Sequence, residues 1–290
     1  YSMFGFQRIG DLIWAAADMR TRGFLIGGTA GRTTLNGEGI QHQDGHSQVI
    51  ANTYPNLKSY DPAFAYELVV IVCEGIRRMY ELQENLFYYI TAYNENYAMP
   101  SLPQEKNIHN DILAGAYLFA STSSEKDSQL HLLGSGSIMQ QVLVAREKLE
   151  TMNYKISVWS VTSYNELYRE AEQCERENRL HPFRNARVPY IKKLFSKTSG
   201  VYVAVSDYMK ALPNSIATWM PENYTVLGTD GYGLSESRPE LRRFFEVNPD
   251  YICHAALVGL FRNGSIDQEK LQQQLSTLNF NAEKIDPSLR

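Results

Sequence analysis

The chain has 290 residues, 43% of them hydrophobic, and a formal net charge of −4. A chain of this length buries a sizeable core and is expected to form two domains. No stripe of Lys and Arg repeats along it, which argues against nucleic acid as a partner. Cys73, Cys174 and Cys253 are far apart, which argues against disulfides or a zinc knuckle and indicates the cytoplasm.

The longest apolar runs, such as Leu68 to Cys73, are too short to cross a bilayer, so no membrane segment is expected. The chain starts at Tyr1 rather than at a methionine and enters a helical pattern directly. We therefore expect a fragment of a longer protein.

Helical and strand patterns alternate along the first hundred residues. They predict a helix over 4–22, a buried strand over 24–26, a short helix over 47–53, a strand over 57–60, a helix that starts at Asp61-Pro62 with the apolar stripe Ala65, Leu68, Val69, Val72, Ile76 and Met79, and a strand over 86–92. Residues 94–110 carry Pro100 and Pro103 and are typical of a linker.

The remaining residues repeat the alternation. The predicted strands are 129–133, 156–161, 201–205 and 225–227, and the predicted helices are 138–152, one from Ser163, 208–219, 237–246, 249–263 and 267–277. Strands that alternate with helices predict an α/β fold in which mainly parallel sheets are flanked by helices on both faces.

The glycine-rich stretch Gly27–Ser47 follows the first predicted strand and is the candidate functional segment. Its six glycines allow a ligand to approach the backbone, and its ionisable side chains are not those of a flexible spacer. In open α/β sheets, ligands bind beyond the carboxyl ends of the strands. We therefore expect a site in this loop.

His42 lies among glycines and amides, which favours a general acid/base over an exposed loop histidine. His46 forms a metal-binding pair with it only on a helix, and Gly45 argues against one, so no metal site is predicted. Glu38 and Asp44 fit either an acid/base pair or side chains that hold the loop through backbone amides.

Three further features have two interpretations each. Tyr1 and Phe4 fit a stacking surface for a heteroaromatic ring, although ordinary core aromatics are more common at such a spacing. Gly134–Ser137 fits an anion cradle at a helix start, but it lacks the residues of a phosphate loop, so a tight turn is favoured. Thr229–Gly233 is interpreted as a structural turn that could touch a site. His181 and His254 are interpreted as structural.

Several longer motifs occur in an order that resembles one enzyme family. They are Tyr1–Asp11, Gly27–Ser47, Tyr60–Glu67, Asn94–Tyr97, Leu133–Ile138 and Gly228–Gly233. The chain resembles the carboxy-terminal part of homodimeric bacterial pyruvate dehydrogenase E1 components, which are thiamine diphosphate enzymes of the transketolase superfamily. The resemblance covers essentially all 290 residues. It implies the later part of a pyrimidine-binding domain at 1–100, a linker at 101–110 and a transketolase C-terminal-like domain at 111–290.

The resemblance also implies residue roles. Phe4 stacks on the aminopyrimidine ring of thiamine diphosphate, Tyr1 lies beside that ring and the substrate, and His42 contacts the oxygens of the substrate-derived adduct. Glu38 matches an acidic active-site position. The implied reaction is oxidative decarboxylation of pyruvate with acetyl transfer to the lipoyl group of the dihydrolipoyl acetyltransferase, E2. The implied assembly is a homodimer.

The sequence departs from the family in what it lacks. It contains no Gly-Asp-Gly motif followed by an Asn, so the ligands of Mg²⁺ and of the diphosphate are expected outside this chain. The isolated chain is therefore expected to be inactive. Two alternatives remain open. One is another thiamine enzyme of the superfamily that acts on a sugar or a longer 2-oxo acid, and the other is a non-catalytic dimerisation or assembly module.

Overall fold

Two sheets organise the chain, which the computed structural model describes over residues 1–104, 108–122 and 127–290. The strands of the first sheet are β1 (Phe24–Gly27), β2 (Leu57–Tyr60) and β3 (Phe87–Thr91). They are all parallel, in the order β1-β3-β2. The helices around them are α1 (Ser2–Arg8), α2 (Gly10–Asp18), α3 (Ser47–Ala51) and α4 (Ala65–Ile76), and a π-helical turn extends α4 over Arg77–Glu81.

The second sheet follows after α5 (Ile108–Ala114). Its strands are β4 (Ala116–Ser121), β5 (Leu130–Gly134), β6 (Ile156–Val161), β7 (Val201–Val205) and β8 (Tyr224–Leu227). The order is β4-β6-β5-β7-β8, and only β4 is antiparallel to its neighbour. The remaining helices are α6 (Met139–Thr151), α7 (Tyr164–Leu180), α8 (Tyr190–Leu194), α9 (Ala211–Asn214), α10 (Arg238–Phe244), α11 (Pro249–Arg262) and α12 (Gln268–Leu275).

Both faces of the second sheet are buried, which explains why its central strands are mainly apolar. Leu132 and Val203 belong to the core on the side of α6 and α11. Their neighbours Leu133 and Ala204 point to the opposite face and join the core on the side of α7 and α8.

The α/β fold with mainly parallel sheets and flanking helices is confirmed. No helix in the three described ranges has both the length and the apolar character needed to span a membrane.

The carboxyl ends of the two sheets face each other. Asp61, just after β2, donates its backbone N–H to the carbonyl of Thr162, just after β6, at 2.7 Å. The carbonyl of Asp61 in turn accepts from the N–H of Gly136, just after β5, at 3.1 Å. Because loops leave parallel strands at this edge, the loops of both sheets meet along one junction.

Several predicted boundaries in the first hundred residues are wrong. The predicted helix 4–22 is two helices that are separated at Ile9. The predicted helix start at Asp61-Pro62 lies three residues too early, because the side chain of Glu67 accepts from the backbone N–H groups of Ala63 and Phe64 and fixes the start of α4 at Ala65. Asp61 is buried at the sheet junction instead.

The predicted burial also fails at two places. Strand β1 lies at an edge of its sheet, and Leu25 and Ile26 are exposed rather than buried. In the predicted stripe of α4, Val69 and Ile76 are exposed, while Ile71 is fully buried. The spacing of the apolar residues predicted the helix correctly, but it did not predict which face of the helix is buried.

The secondary structure of the later part of the chain also differs from the prediction. Strand β4, which makes the sheet mixed, is missing from the prediction, and so is α8. The predicted helix 208–219 is reduced to α9 and a short 3₁₀ turn at Ala217–Trp219. The predicted helix 138–152 corresponds to α6, and a 3₁₀ turn at Gly136–Ile138 precedes it. The expected linker 101–110 ends within α5, and its residues 105–107 lie outside the described residues.

Candidate functional site

The loop between β1 and α3 places His42 against two aromatic side chains. Phe4 lies in α1, and Tyr1 directly precedes that helix. The ring centre of His42 lies 4.6 Å from that of Tyr1 and 5.0 Å from that of Phe4, and the Tyr1 and Phe4 centres are 5.5 Å apart. The carboxylate of Glu38 lies 3.1 Å from His42 Nδ1. All four residues that the sequence singled out as candidates therefore form one cluster.

Glu38 and His42 are in ion-pair range but are not aligned as a hydrogen bond, since Nδ1 is buried and has no hydrogen-bond partner within the described part of the chain. About a fifth of the His42 side chain stays accessible (22%). A partly accessible imidazole beside a carboxylate can accept a proton, or it can donate a hydrogen bond to an anionic group.

The Phe4 ring is positioned for stacking. The Arg8 guanidinium lies over it, 4.3 Å from the ring centre, and Tyr1 and His42 meet it at steep angles. Arg8 is exposed, so a planar heteroaromatic ring can stack on the remaining face or displace the guanidinium at small cost, because exposed cation–π contacts are worth only about 0.5–1 kcal/mol. The residues present therefore fit an aromatic ligand.

Asp44 and His46 have a different surrounding from His42. Asp44 is buried, and its Oδ1 accepts from the backbone N–H groups of His46 and Ser47 at 2.9 Å, which holds the start of α3. His46 Nδ1 lies 2.9 Å from the side-chain amide of Gln7, and burial and the nearby Arg32 lower the His46 pKa. Of the two interpretations left open for Asp44, the contacts favour the one in which it holds the loop.

Across residues 1–104, 108–122 and 127–290, no group of three or more His, Cys, Asp or Glu side chains is arranged to bind a metal ion.

Residues that follow or flank the second sheet hold the beginning of the loop that carries His42. The carboxylate of Asp207, just after β7, accepts from the backbone N–H of Thr33 at 3.1 Å and from its hydroxyl at 2.7 Å. Arg242 on α10 donates from Nε to the same hydroxyl and binds Glu95 through two N–H groups. Burial raises the pKa of Asp207 to about 7.

The Gly134–Ser137 turn contributes to the sheet junction. All four residues are buried, and Gly136 has a φ of +49°. A side chain at Gly136 would overlap Tyr93, whose hydroxyl donates to Asp61. Burial raises the pKa of Asp61 to about 6. A buried carboxyl group beside the turn disfavours an anion, so the contacts support the tight turn rather than the anion cradle.

Three residues of the site surroundings were missing from the sequence analysis: Gln43, Asp207 and Arg242. Asp207 lies 174 positions from Thr33 along the chain, so no local pattern connects them. Gln43 adjoins His42 in the glycine-rich loop, and this position is the sequence feature that could have identified it as part of the site.

Two family models match the chain. Residues 1–100 match the pyruvate dehydrogenase E1 component middle domain, and residues 115–248 match the transketolase-like C-terminal domain. The chain is 49% identical over 293 aligned residues to the pyruvate dehydrogenase E1 component of Escherichia coli K12, and 47% identical over 289 to that of Pseudomonas aeruginosa. These alignments cover 100% and 99% of the chain, but only 32% of the length of each relative.

A solved structure with the same fold is the transketolase of Campylobacter jejuni, with a TM-score of 0.66 at 18% identity over 89% of this chain and 34% of that one. The resemblance that the sequence motifs indicated is thereby confirmed over both sheets. Over its whole length the chain is therefore similar to a carboxy-terminal part of pyruvate dehydrogenase E1 components, and it carries the matching middle and transketolase-like C-terminal domains.

Proposed function

We propose that this chain forms the part of a pyruvate dehydrogenase E1 component that holds the aminopyrimidine ring of thiamine diphosphate. We propose that it also supplies the general acid/base that acts on pyruvate. The observation that carries the proposal is the cluster in which the rings of Tyr1, Phe4 and His42 meet, with the Glu38 carboxylate beside the imidazole. The proposed reaction is oxidative decarboxylation of pyruvate, with the acetyl group passed to the lipoyl domain of E2.

Each member of the cluster has a proposed role. Phe4 provides a flat apolar surface for the aminopyrimidine ring, and Tyr1 borders both that ring and the substrate. His42 hydrogen-bonds the carboxylate and keto oxygen of pyruvate and acts as a general acid/base. Glu38 places its negative charge 3.1 Å from Nδ1 and acts on the imidazole by charge, without a hydrogen bond between the two side chains.

When bound, thiamine diphosphate supplies a carbon nucleophile for the keto carbon and accepts the electron pair that departing CO₂ leaves behind. The protein residues supply orientation and proton transfer. We propose that Mg²⁺ and the diphosphate are held by parts of the full-length protein outside these 290 residues, so that the isolated chain is inactive. Isothermal titration tests this, and micromolar binding of thiamine diphosphate and Mg²⁺ to the isolated chain would contradict it.

The proposal includes the domain division 1–100, 101–110 and 111–290. It is supported by the separate sheets and by the separate family matches. It also includes a homodimer, which the sequence resemblance implies, and a cytoplasmic location, which the three widely spaced cysteines favour. Cross-linking of the full-length protein tests the dimer.

The decisive experiment replaces His42 in a protein of the full length of its relatives. His42→Ala is expected to lower turnover of pyruvate by about 100-fold or more, because a positioned general acid/base contributes about 10²–10⁴-fold. Thiamine diphosphate affinity is expected to stay within about threefold of the parent. Phe4→Ala is expected to weaken cofactor binding by about tenfold, the equivalent of losing an aromatic contact of about 1.4 kcal/mol.

His181→Ala is the control, because His181 is exposed and lies outside the cluster. Pyruvate-dependent CO₂ release and acetylation of the lipoyl domain are the readouts, with a ketose phosphate and longer 2-oxo acids as competing substrates. If His42→Ala and His181→Ala turn over pyruvate at the same rate, the proposed role of His42 is wrong. A preference for a competing substrate would instead select another thiamine enzyme of the superfamily.

A further inference from the structure

The loop that carries Glu38 and His42 rests on residues 233–238, here called the platform, which run from the connection after β8 to the first residue of α10. We infer that the platform sets the position of His42, and that Gln43 is the main positioning residue because it connects the platform to the loop that carries His42. This inference rests on the function proposed above, because it assigns a task to the second sheet in that same site.

The side chain of Gln43 is fully buried and uses its whole amide group. Its Nε2 donates to the carbonyls of Leu35 at 2.9 Å and Leu234 at 2.8 Å, and its Oε1 accepts from the N–H of Leu234 at 2.8 Å. The amide therefore pairs with both backbone groups of one platform residue. It also ties Leu35 to Gln43, the two residues that enclose the stretch 36–42.

Two glycines allow the loop and the platform to touch without side chains between them. A side chain at Gly233 would overlap the amide of Gln43, and one at Gly39, where φ is +74°, would meet the hydroxyl of Ser235. The N–H of Gly37 donates to the carbonyl of Glu236 at 2.9 Å. The Gly233 of the Thr229–Gly233 motif is thereby explained as a residue that makes room for Gln43.

Arg238 holds the beginning of the same stretch. Its backbone N–H donates to Asn36 Oδ1 at 2.8 Å, and its Nε donates to the carbonyl of Thr34 at 2.6 Å. Both ends of residues 36–42 are thus fixed to the second sheet and its helices, while Glu38 between them is half-buried and Ile40 is exposed.

His42 is bonded directly to Gln43, so its ring position follows from the seating of that residue. Within the loop, the N–H groups of His42 and Gln43 both donate to the carbonyl of Gly39, at 3.3 and 3.2 Å. These long bonds alone hold the turn weakly. A catalytic group that moves by about 1 Å can lose about 100-fold in rate, so loosening Gln43 is expected to act on turnover through His42.

Gln43→Met tests the inference in the full-length protein, because methionine keeps the length of the side chain and removes the amide. Gln48→Met is the matched control. Gln48 is buried as well, and its Nε2 donates to the carbonyl of Tyr60 at 2.9 Å, but it contacts β2 and β3 instead of the platform. Both variants lose buried amide hydrogen bonds, so both are expected to lower the melting temperature.

Only Gln43→Met is expected to affect the site. Its kcat is expected to fall about 30- to 100-fold with the thiamine diphosphate affinity within about threefold. Backbone amides of residues 36–42 are expected to exchange with deuterium about tenfold faster, while Gln48→Met leaves both quantities within about threefold. Gln43→Glu, whose second carboxylate oxygen would face the carbonyls of Leu35 and Leu234 instead of donating to them, is expected not to restore the kcat.

The outcomes separate the two proposals. If His42→Ala abolishes turnover but Gln43→Met leaves kcat and loop exchange unchanged, the positioning inference is wrong. The inference is also wrong if Gln43→Met and Gln48→Met lower kcat equally, since the effect is then general destabilisation. If Gln43→Met speeds loop exchange while both it and His42→Ala leave turnover unchanged, the proposed function fails and only the structural seating of the loop stands.

Discussion

Replacing Arg242 by methionine tests how much one buried ion pair contributes to holding the sheets together. Arg242 on α10 of the second sheet unit binds Glu95, which follows β3 of the first, through two N–H groups. The two side chains keep only 6% and 16% of their surface exposed. Methionine retains the apolar stem, but it leaves the Glu95 carboxylate without its cation and the Thr33 hydroxyl without a donor.

The magnitude follows from this burial. Removing one partner of a buried pair costs about 3–5 kcal/mol, because the remaining charge stays desolvated. Glu95 keeps some contact with solvent, so Arg242→Met is expected to lower the free energy of unfolding by about 3 kcal/mol. In the double variant with Glu95→Met no charge is left uncompensated, and about 2 kcal/mol of that loss is expected to return.

The adjacent Arg243 supplies the control. It makes the same kind of contact with Glu240, but these side chains are 56% and 46% exposed. Arg243→Met is therefore expected to change stability by less than about 0.5 kcal/mol. Urea titrations followed by tryptophan fluorescence measure all four proteins. Equal losses for Arg242→Met and Arg243→Met would refute the reasoning, because burial would then have no influence on the strength of the pair.

Three further predictions concern the junction and the helix ends. The Asp207 pKa is raised to about 7 from its usual 3.8, so the native state keeps a proton that the unfolded chain releases, and this contribution to stability is lost as pH rises from about 4 to 7. In urea titrations across that range, the stability of the parent relative to Asp207→Asn should fall by up to about 1.4 kcal/mol per pH unit, and a rise would contradict the assignment. Gly31→Ala is expected to cost about 3 kcal/mol, because φ is +88° and the new methyl group would overlap Asp207, whereas Gly37→Ala at φ +71° faces open space and should cost about 1 kcal/mol; thermal melts compare the two. Ser163→Ala is expected to cost about 1–2 kcal/mol, since its hydroxyl caps α7, while Ser237→Ala at the start of α10, where the hydroxyl caps nothing, should be neutral in the same melts.

Sequence reasoning succeeded where local pattern and tertiary structure agree. Strands β6 and β7 were predicted at their observed bounds, because short, mainly apolar runs flanked by turn residues fill the interior of a sheet that is buried on both faces. The bounds of β2 were also predicted, although it lies at a sheet edge and carries two polar residues. Strand β4 was missed because it follows α5 almost directly through Gly115 and lies antiparallel at a sheet edge, which the alternating pattern does not indicate. The start of α4 was misplaced because Asp61-Pro62 looks like a cap, while the buried carboxylate of Glu67 forms the real one.

The candidate site was predictable in part. The glycines and ionisable side chains of Gly27–Ser47 marked the loop, but composition alone made Tyr1 and Phe4 core residues, and only the family resemblance turned them into candidates. Gln43 and its partner Leu234 are 191 positions apart, so their contact depends on the fold and not on any local pattern.

Main-chain bonds, such as those of Asp61 with Thr162 and Gly136, form one part of the junction between the sheets, beside the side-chain bonds of Asp207, Arg242 and Gln43. A backbone amide and carbonyl are present whatever side chain a residue carries. Amino-acid replacements therefore leave these main-chain bonds largely untouched, as long as glycine is kept where no side chain fits. About half of the residues differ between this chain and its Escherichia coli relative, and main-chain bonds of this kind can persist through such replacements.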